Sequence, residues 1–182
     1  GQLGVPLEMR PQCLTLYGNR WHDLGNRAGA YFDGRYVGRG MATADYDNDG
    51  DLDVVVIHQN APAALLRNDS DRGHWLKLEF IGRRANRRGI GTRVNLHSGD
   101  GDQCQELPGG TSYCSAMQPV LIFGLGASSA PCQLEIRWPG GAVQTLDDVP
   151  VDQTLVLREP VDPSAIDADR SFPDSRGETR AP

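Results

Sequence analysis

The chain has 182 residues, a net charge of −6, a pI near 5.1 and 38% hydrophobic residues. This apolar content is enough for a buried core, and the acidic balance argues against a nucleic-acid partner, whose phosphates require clustered Lys and Arg. Twenty-two glycines, 12 prolines and little helical periodicity predict a turn-rich, all-β protein.

No apolar run approaches the roughly 20 residues needed to cross a bilayer, so we predict no transmembrane segment. The chain opens without a basic and then apolar leader. Any export signal is therefore expected to have been removed or to lie outside this sequence.

The first 40 residues scatter apolar and aromatic side chains among Gly, Asn and Asp, which predicts short strands and turns. The stretch ATADYDNDGDLDVVVIHQN (42–60) then gathers five aspartates within nine positions before turning β-branched. LDVVVIHQ (52–59) is predicted to be a strand, and AALLRND (63–69) a second short element.

From residue 74 onward, apolar and polar residues alternate with period 2 in strand-length pieces that end in Gly, Pro or Asp. This spacing predicts a β-sandwich or barrel. The glycine-flanked cluster GRRANRRG (82–89) is interpreted as a solvated loop, with an anion site as the alternative. Residues 161–182 lose all periodicity and are predicted to form a flexible or surface-hugging tail.

Four cysteines occur without any C-x-x-C pair, which disfavours a zinc ribbon and favours disulfides in an oxidising compartment. Three pairings are possible, and our hypothesis is Cys104 with Cys114 and Cys13 with Cys132.

The aspartate run has the spacing of a calcium loop. Counting from Asp45, carboxylates occupy positions one, three, five, seven and nine, and a glycine occupies position six. Calcium takes six to eight oxygen ligands, and glycine permits the sharp turn that brings alternate residues to one point. The predicted Ca²⁺ ligands are Asp45, Asp47, Asp49, Asp51 and Asp53. A solvated acidic turn is the alternative.

The flanks of this loop exclude an EF-hand. Position twelve is Val56 rather than a bidentate Glu, and a β-branched run follows instead of a helix. Asp53 is the natural replacement for the missing glutamate.

The stretch GRGMATADYDNDGDLDVVV resembles the calcium-binding FG-GAP (VCBS) repeat of integrin-like β-propellers. Four later stretches are similar to the ASPIC and UnbV domain: NDSDRGHWLKLEFIGRRANRRGIGTRVNL, GGTSYCSA, LIFGLG and LEIRWPGGAVQTLDDVPVDQTLVLREP. The resemblance implies a propeller-type blade region over 1–70, with one or two blade hairpins, an ASPIC/UnbV-like β-domain over 71–160 and the tail over 161–182.

The resemblance also implies a secreted, periplasmic or cell-surface protein that carries calcium, and it does not imply a reaction. A propeller needs several blades, whereas this chain supplies one or two at most. We therefore expect the partners to be other protein subunits or the remainder of a propeller.

No catalytic residues are predicted. The four histidines have no ligand spacing, and GGTSYCSA (109–116) lacks a nucleophile elbow. Trp75 and Trp138 are predicted to pack in the core, although an exposed Trp138 could stack on a carbohydrate. A non-enzymatic calcium-binding module for adhesion or assembly is the favoured function. An exported enzyme or biosynthetic accessory with a pocket in the second β-domain is the alternative.

Overall fold

The computed structural model describes residues 7–70 and 73–161. These residues form an almost purely β structure of twelve strands. The strands are β1 Leu14–Tyr17, β2 Arg20–Asp23, β3 Gly38–Ala44, β4 Asp53–His58, β5 Ala64–Leu66, β6 Trp75–Ile81, β7 Arg93–Ser98, β8 Gly101–Glu106, β9 Val120–Gly124, β10 Cys132–Arg137, β11 Val143–Val149 and β12 Gln153–Arg158. The all-β prediction is confirmed.

The N-terminal region contains two small antiparallel sheets. β1 and β2 form a hairpin, and β3, β4 and β5 form a three-stranded sheet in that order. Two short 3-10 helices, Gly25–Arg27 and Ala30–Asp33, connect the two sheets. No helix in the described ranges has the length and apolar character to cross a membrane.

The C-terminal region consists of two sheets with the orders β11-β10-β7-β8 and β12-β6-β9. Their strands alternate buried apolar and outward-facing residues, as the period-2 pattern predicts. Buried residues from both sheets, among them Leu78 on β6, Phe123 on β9 and Leu134 on β10, form one hydrophobic cluster. The two sheets therefore share one core.

β6 and β12 run parallel, with pairs from Gln153↔Leu76 to Arg158↔Ile81. The two strands are widely separated in sequence, and their pairing brings the end of the described chain beside the start of the C-terminal region. Because of the shared core and this long-range pairing, we expect the two C-terminal sheets to unfold as a single cooperative unit.

The predicted disulfides are not formed. All four cysteines lie within the described residues, and each is a free thiol. Cys132 is buried in the shared core, where burial raises the pKa of its thiol, and its Sγ lies 3.7 Å from the carbonyl of Val149. Cys104 lies at an exposed position on β8, beside the guanidinium of Arg93. An even number of cysteines does not predict disulfides here, because the number carries no information about which sheet face each thiol occupies.

Trp138 is buried, which confirms core packing and removes it as a carbohydrate-stacking surface. Its ring meets Phe80 edge-on at 5.8 Å between centroids, and its indole N–H donates to Gln144 Oε1 at 3.3 Å. The turn after β10 folds the tryptophan back over the core, a placement that its position before Pro-Gly-Gly does not reveal.

Candidate metal centre

The aspartate loop joins β3 to β4, two antiparallel neighbours whose pairing ends at Ala44↔Asp53. At this bend, carboxylate oxygens of Asp45, Asp47 and Asp49 lie within 4.8 Å of one another. Three of the five predicted ligands therefore converge. The three side chains differ in solvent exposure: Asp45 is buried, Asp49 is half-buried and Asp47 is exposed.

Two left-handed residues produce the tight winding of the loop. Asn48 has φ = 60° and Gly50 has φ = 96°. Side-chain oxygens also bind the loop's own backbone, since Asp45 Oδ1 accepts from Asp49 N–H and Asp49 Oδ1 accepts from Asp51 N–H, both at 3.0 Å. These bonds hold the carboxylates of Asp45 and Asp49 against the backbone of the loop.

Asp53 is buried but serves a different purpose from the three convergent aspartates. Its Oδ2 accepts the backbone N–H of Tyr46 at 2.9 Å, and its Oδ1 accepts that of Asn68 at 2.8 Å. It thereby ties the start of β4 to the aspartate loop and to the segment after β5. Neither Asp53 nor Asp51 belongs to the convergent group within the described residues.

The aspartate loop is docked on the outward face of β6. Lys77 donates to Asp45 Oδ2 at 3.1 Å, and the two side chains are only 3% and 1% exposed. The Trp75 ring covers Gly50 so closely that a Cβ at Gly50 would lie 2.2 Å from Trp75 Cε2. A buried ion pair and a ring-on-backbone contact thus join the loop to the C-terminal region.

The arrangement fits a hard divalent cation only incompletely. Three carboxylates at this separation repel one another, and a cation bound between them would relieve that repulsion. Lys77 supplies one compensating positive charge from the protein itself. Period-2 alternation places Lys77 opposite the apolar residues of β6, where a lysine is ordinarily solvated, so sequence reasoning missed this contact.

A second polar cluster lies at the far end of β4. His58 Nδ1 lies 2.7 Å from the Pro62 carbonyl, and His58 Nε2 lies 2.9 Å from the Tyr31 hydroxyl. His58, Tyr31 and Tyr36 also stack, with centroids 4.6 Å apart for Tyr36 and His58. Burial is the main cause that raises the pKa of Tyr31, and the neighbouring Tyr36 raises it further. His58 is therefore a hydrogen-bonded structural residue, as expected for a histidine with no ligand spacing.

These observations define an all-β protein in which two sheets share one core and an acidic loop packs on one of these sheets. Within it, residues 82–164 match the family model described as ASPIC and UnbV, which confirms this component of the resemblance. The FG-GAP resemblance of the aspartate loop and the domain boundaries at residues 70 and 160 stay predictions.

Curated relatives are the cartilage acidic protein 1 sequences of several vertebrates. The Xenopus tropicalis protein is 33% identical over 118 residues, which is 62% of this chain and 18% of that protein. The Homo sapiens protein is 32% identical over 109 residues, which is 57% of this chain and 16% of that protein. The chain thus spans less than a fifth of the length of these relatives.

Proposed function

We propose that the chain is a non-enzymatic, calcium-binding module of an extracytoplasmic protein that serves in adhesion, protein interaction or assembly within a larger complex. The observation that carries this proposal is the convergence of the Asp45, Asp47 and Asp49 oxygens at the bend between β3 and β4. Convergent carboxylates with this spacing are the ligands that calcium prefers.

In this proposal Asp45, Asp47 and Asp49 supply side-chain oxygens, Asp51 supplies its main-chain carbonyl, and Asp53 closes the site from the start of β4. When bound, the cation supplies positive charge that holds the loop closed and has no chemical role. Because it binds the folded loop and not the open chain, it stabilises the fold by mass action.

An extracytoplasmic location is supported by the similarity to cartilage acidic protein 1. Calcium modules outside cells work with dissociation constants of about 10⁻⁴–10⁻³ M. The aspartate loop already contacts one cation of the protein, the Lys77 ammonium of β6, and this suits such weak binding because the ammonium reduces the attraction that the carboxylates exert on calcium.

A role in assembly is supported by the β3-β4-β5 sheet. Val55, Ile57 and Leu65 are exposed on one of its faces, and Met41 is exposed on the other. A shallow pocket of about 230 Å³ lies on this sheet, lined by residues that include Ala42, Val55 and Leu65. Exposed apolar surface on both faces of one sheet suits contact with further protein, such as other sheets of a longer chain. Most of its lining belongs to this sheet and the aspartate loop, and Ala116 and Gln118 of the second β-domain complete it.

Thermal unfolding of the chain in excess chelator and in millimolar calcium tests the proposal. Calcium should raise the melting temperature of the wild type, and Asp47→Asn/Asp49→Asn should abolish the shift, whereas Asp33→Asn, an exposed aspartate in a 3-10 helix, should retain it. The shift should also fade in acid as the ligands protonate. Equal melting temperatures with and without calcium would contradict the proposal.

A further inference from the structure

Four arginines lie close together on the loop between β6 and β7. Residues 82–89, which we call the arginine loop, contain Arg83, Arg84, Arg87 and Arg88, and all four side chains are exposed. Within residues 7–70 and 73–161, none of their guanidinium groups takes part in a hydrogen bond or an ion pair. Four arginines without an ion-paired guanidinium are therefore concentrated on one loop of a chain whose net charge is −6.

The backbone of the arginine loop is held rigidly. Gly82 N–H donates to the Arg87 carbonyl at 3.0 Å, which closes the loop at its base. The Asn86 side chain both donates to the carbonyl of Ile90 and accepts its N–H, each at 2.8 Å. Binding a ligand on a fixed loop costs less ordering entropy than binding on a flexible one.

Glu159 fixes the other side of the arginine loop. This carboxylate, which is 1% exposed, accepts the backbone N–H groups of Arg83 at 2.6 Å and Arg84 at 2.8 Å through Oε2. The buried anion therefore binds the backbone of the loop and leaves the guanidinium groups pointing to solvent. A charged loop that served only solubility would not need a buried carboxylate to set its shape.

The chemistry of the loop selects an oxyanion ligand. Guanidinium groups bind sulfate, phosphate and carboxylate oxygens through paired, planar hydrogen bonds. A nucleic-acid duplex or an anionic membrane presents charge over an area much larger than one loop, and the net charge of −6 of the whole chain disfavours close approach of such an extended anion. A single flexible sulfated chain can contact the loop alone.

We propose that the arginine loop binds sulfated polysaccharide. This inference is independent of calcium, because no residue of the loop belongs to the aspartate group. Of the two interpretations of residues 82–89, a solvated loop or an anion site, it favours the anion site and specifies the class of ligand.

Binding of heparin, used as the probe, by the full chain in the presence of chelator tests the inference. At about 0.1 M salt, Arg83→Gln/Arg84→Gln/Arg87→Gln/Arg88→Gln should bind heparin about tenfold more weakly or worse, and wild-type binding should weaken as salt rises. The matched control is Arg20→Gln/Arg27→Gln/Arg35→Gln/Arg39→Gln, which removes four charges elsewhere and should bind nearly as well as the wild type. Unchanged melting temperatures would establish that both variants fold.

Three results would overturn the inference. One is an absence of heparin binding by the wild type at low salt. Another is an equal loss in the two variants, because that would reflect overall charge and not the loop. The third is binding of desulfated heparin, duplex DNA or anionic vesicles as tight as that of heparin.

Discussion

At the scale of single residues, Gly50 is where the aspartate loop meets the C-terminal region. Its φ of 96° is unfavourable for a residue with a side chain, and the Trp75 ring occupies the space where a Cβ would lie. Gly50→Ala should therefore destabilise the protein by about 2 kcal/mol or more, as measured by chemical denaturation, because it adds backbone strain and displaces the ring.

Gly101→Ala is the matched control for this prediction. Gly101 has φ = 128°, and no heavy atom lies within 4 Å of its would-be Cβ, so its substitution introduces backbone strain alone. Similar losses for the two variants would show that the contact with Trp75 contributes nothing.

Asp152 stabilises the connection between β11 and β12 through a pH-dependent contact. Its Oδ2 lies 2.6 Å from His74 Nδ1, and its Oδ1 accepts the Trp75 N–H at 3.2 Å. The hydrogen bond from His74 is the main reason why the pKa of Asp152 lies below its ordinary value of 3.8. A carboxylate with a lowered folded-state pKa stabilises the fold above its unfolded pKa, and this contribution is lost as pH falls through the folded value.

Asp152→Asn should therefore lower the free energy of unfolding at about pH 5–7, and the difference from the wild type should shrink as pH falls below 3.8. Urea unfolding at several pH values measures this difference. Asp102→Asn, in the exposed His97–Asp102 pair at 2.8 Å, serves as the comparison and should show a smaller effect at neutral pH. A difference for Asp152→Asn that stays constant down to about pH 2 would refute the assignment.

At the scale of elements, β6 connects the two regions of the structure because its two faces have different partners. Leu76, Leu78 and Phe80 face the shared core, whereas Trp75 and Lys77 face the aspartate loop. The ion pair between Lys77 and Asp45 is almost completely buried, so each charge depends on the other for compensation.

Lys77→Met should cost about 3–5 kcal/mol in the presence of chelator, because it leaves the Asp45 carboxylate buried without a counter-charge. Lys77→Met/Asp45→Asn should recover much of this loss, and denaturant titrations of the single and double variants complete the cycle. Calcium should stabilise Lys77→Met more than the wild type, since the uncompensated carboxylate attracts the ion more strongly. Additive losses across the cycle would contradict the coupling.

The strands themselves could be predicted from alternation and turn residues, because both signals are local. β4 and the strands from β6 onward appear where the sequence indicates them. The two 3-10 helices were not predicted, since three or four residues are too few to establish a helical period. The hairpin of β1 and β2 was anticipated only as short strands and turns.

At the scale of the whole molecule, the N-terminal and C-terminal regions differ in how well they cover their apolar residues. The C-terminal sheets enclose a continuous buried cluster, whereas the β3-β4-β5 sheet leaves Val55, Ile57 and Leu65 exposed. Apolar residues grouped on one sheet face favour association with other protein surfaces.

We therefore expect the chain to self-associate as its concentration rises, which sedimentation velocity measures. Ile57→Lys/Leu65→Lys should shift the equilibrium toward monomer, because charges on the exposed face oppose its burial. Val156→Lys, at an exposed position on β12, is the control and should change association little. Association that is unaffected by the double substitution would locate the contact elsewhere.

The amino-acid sequence by itself determined the all-β class, the position of most strands, the spacing that brings three aspartates together and the match to ASPIC and UnbV over residues 82–164. Only the tertiary structure decided that Lys77 is buried against Asp45, that Trp75 covers Gly50 and that the cysteines remain free. The physical reason is the distance along the chain between the residues that determine each feature. Periodicity and loop spacing depend on neighbours a few residues apart, whereas the partner of an outward-facing side chain depends on which distant element packs over it.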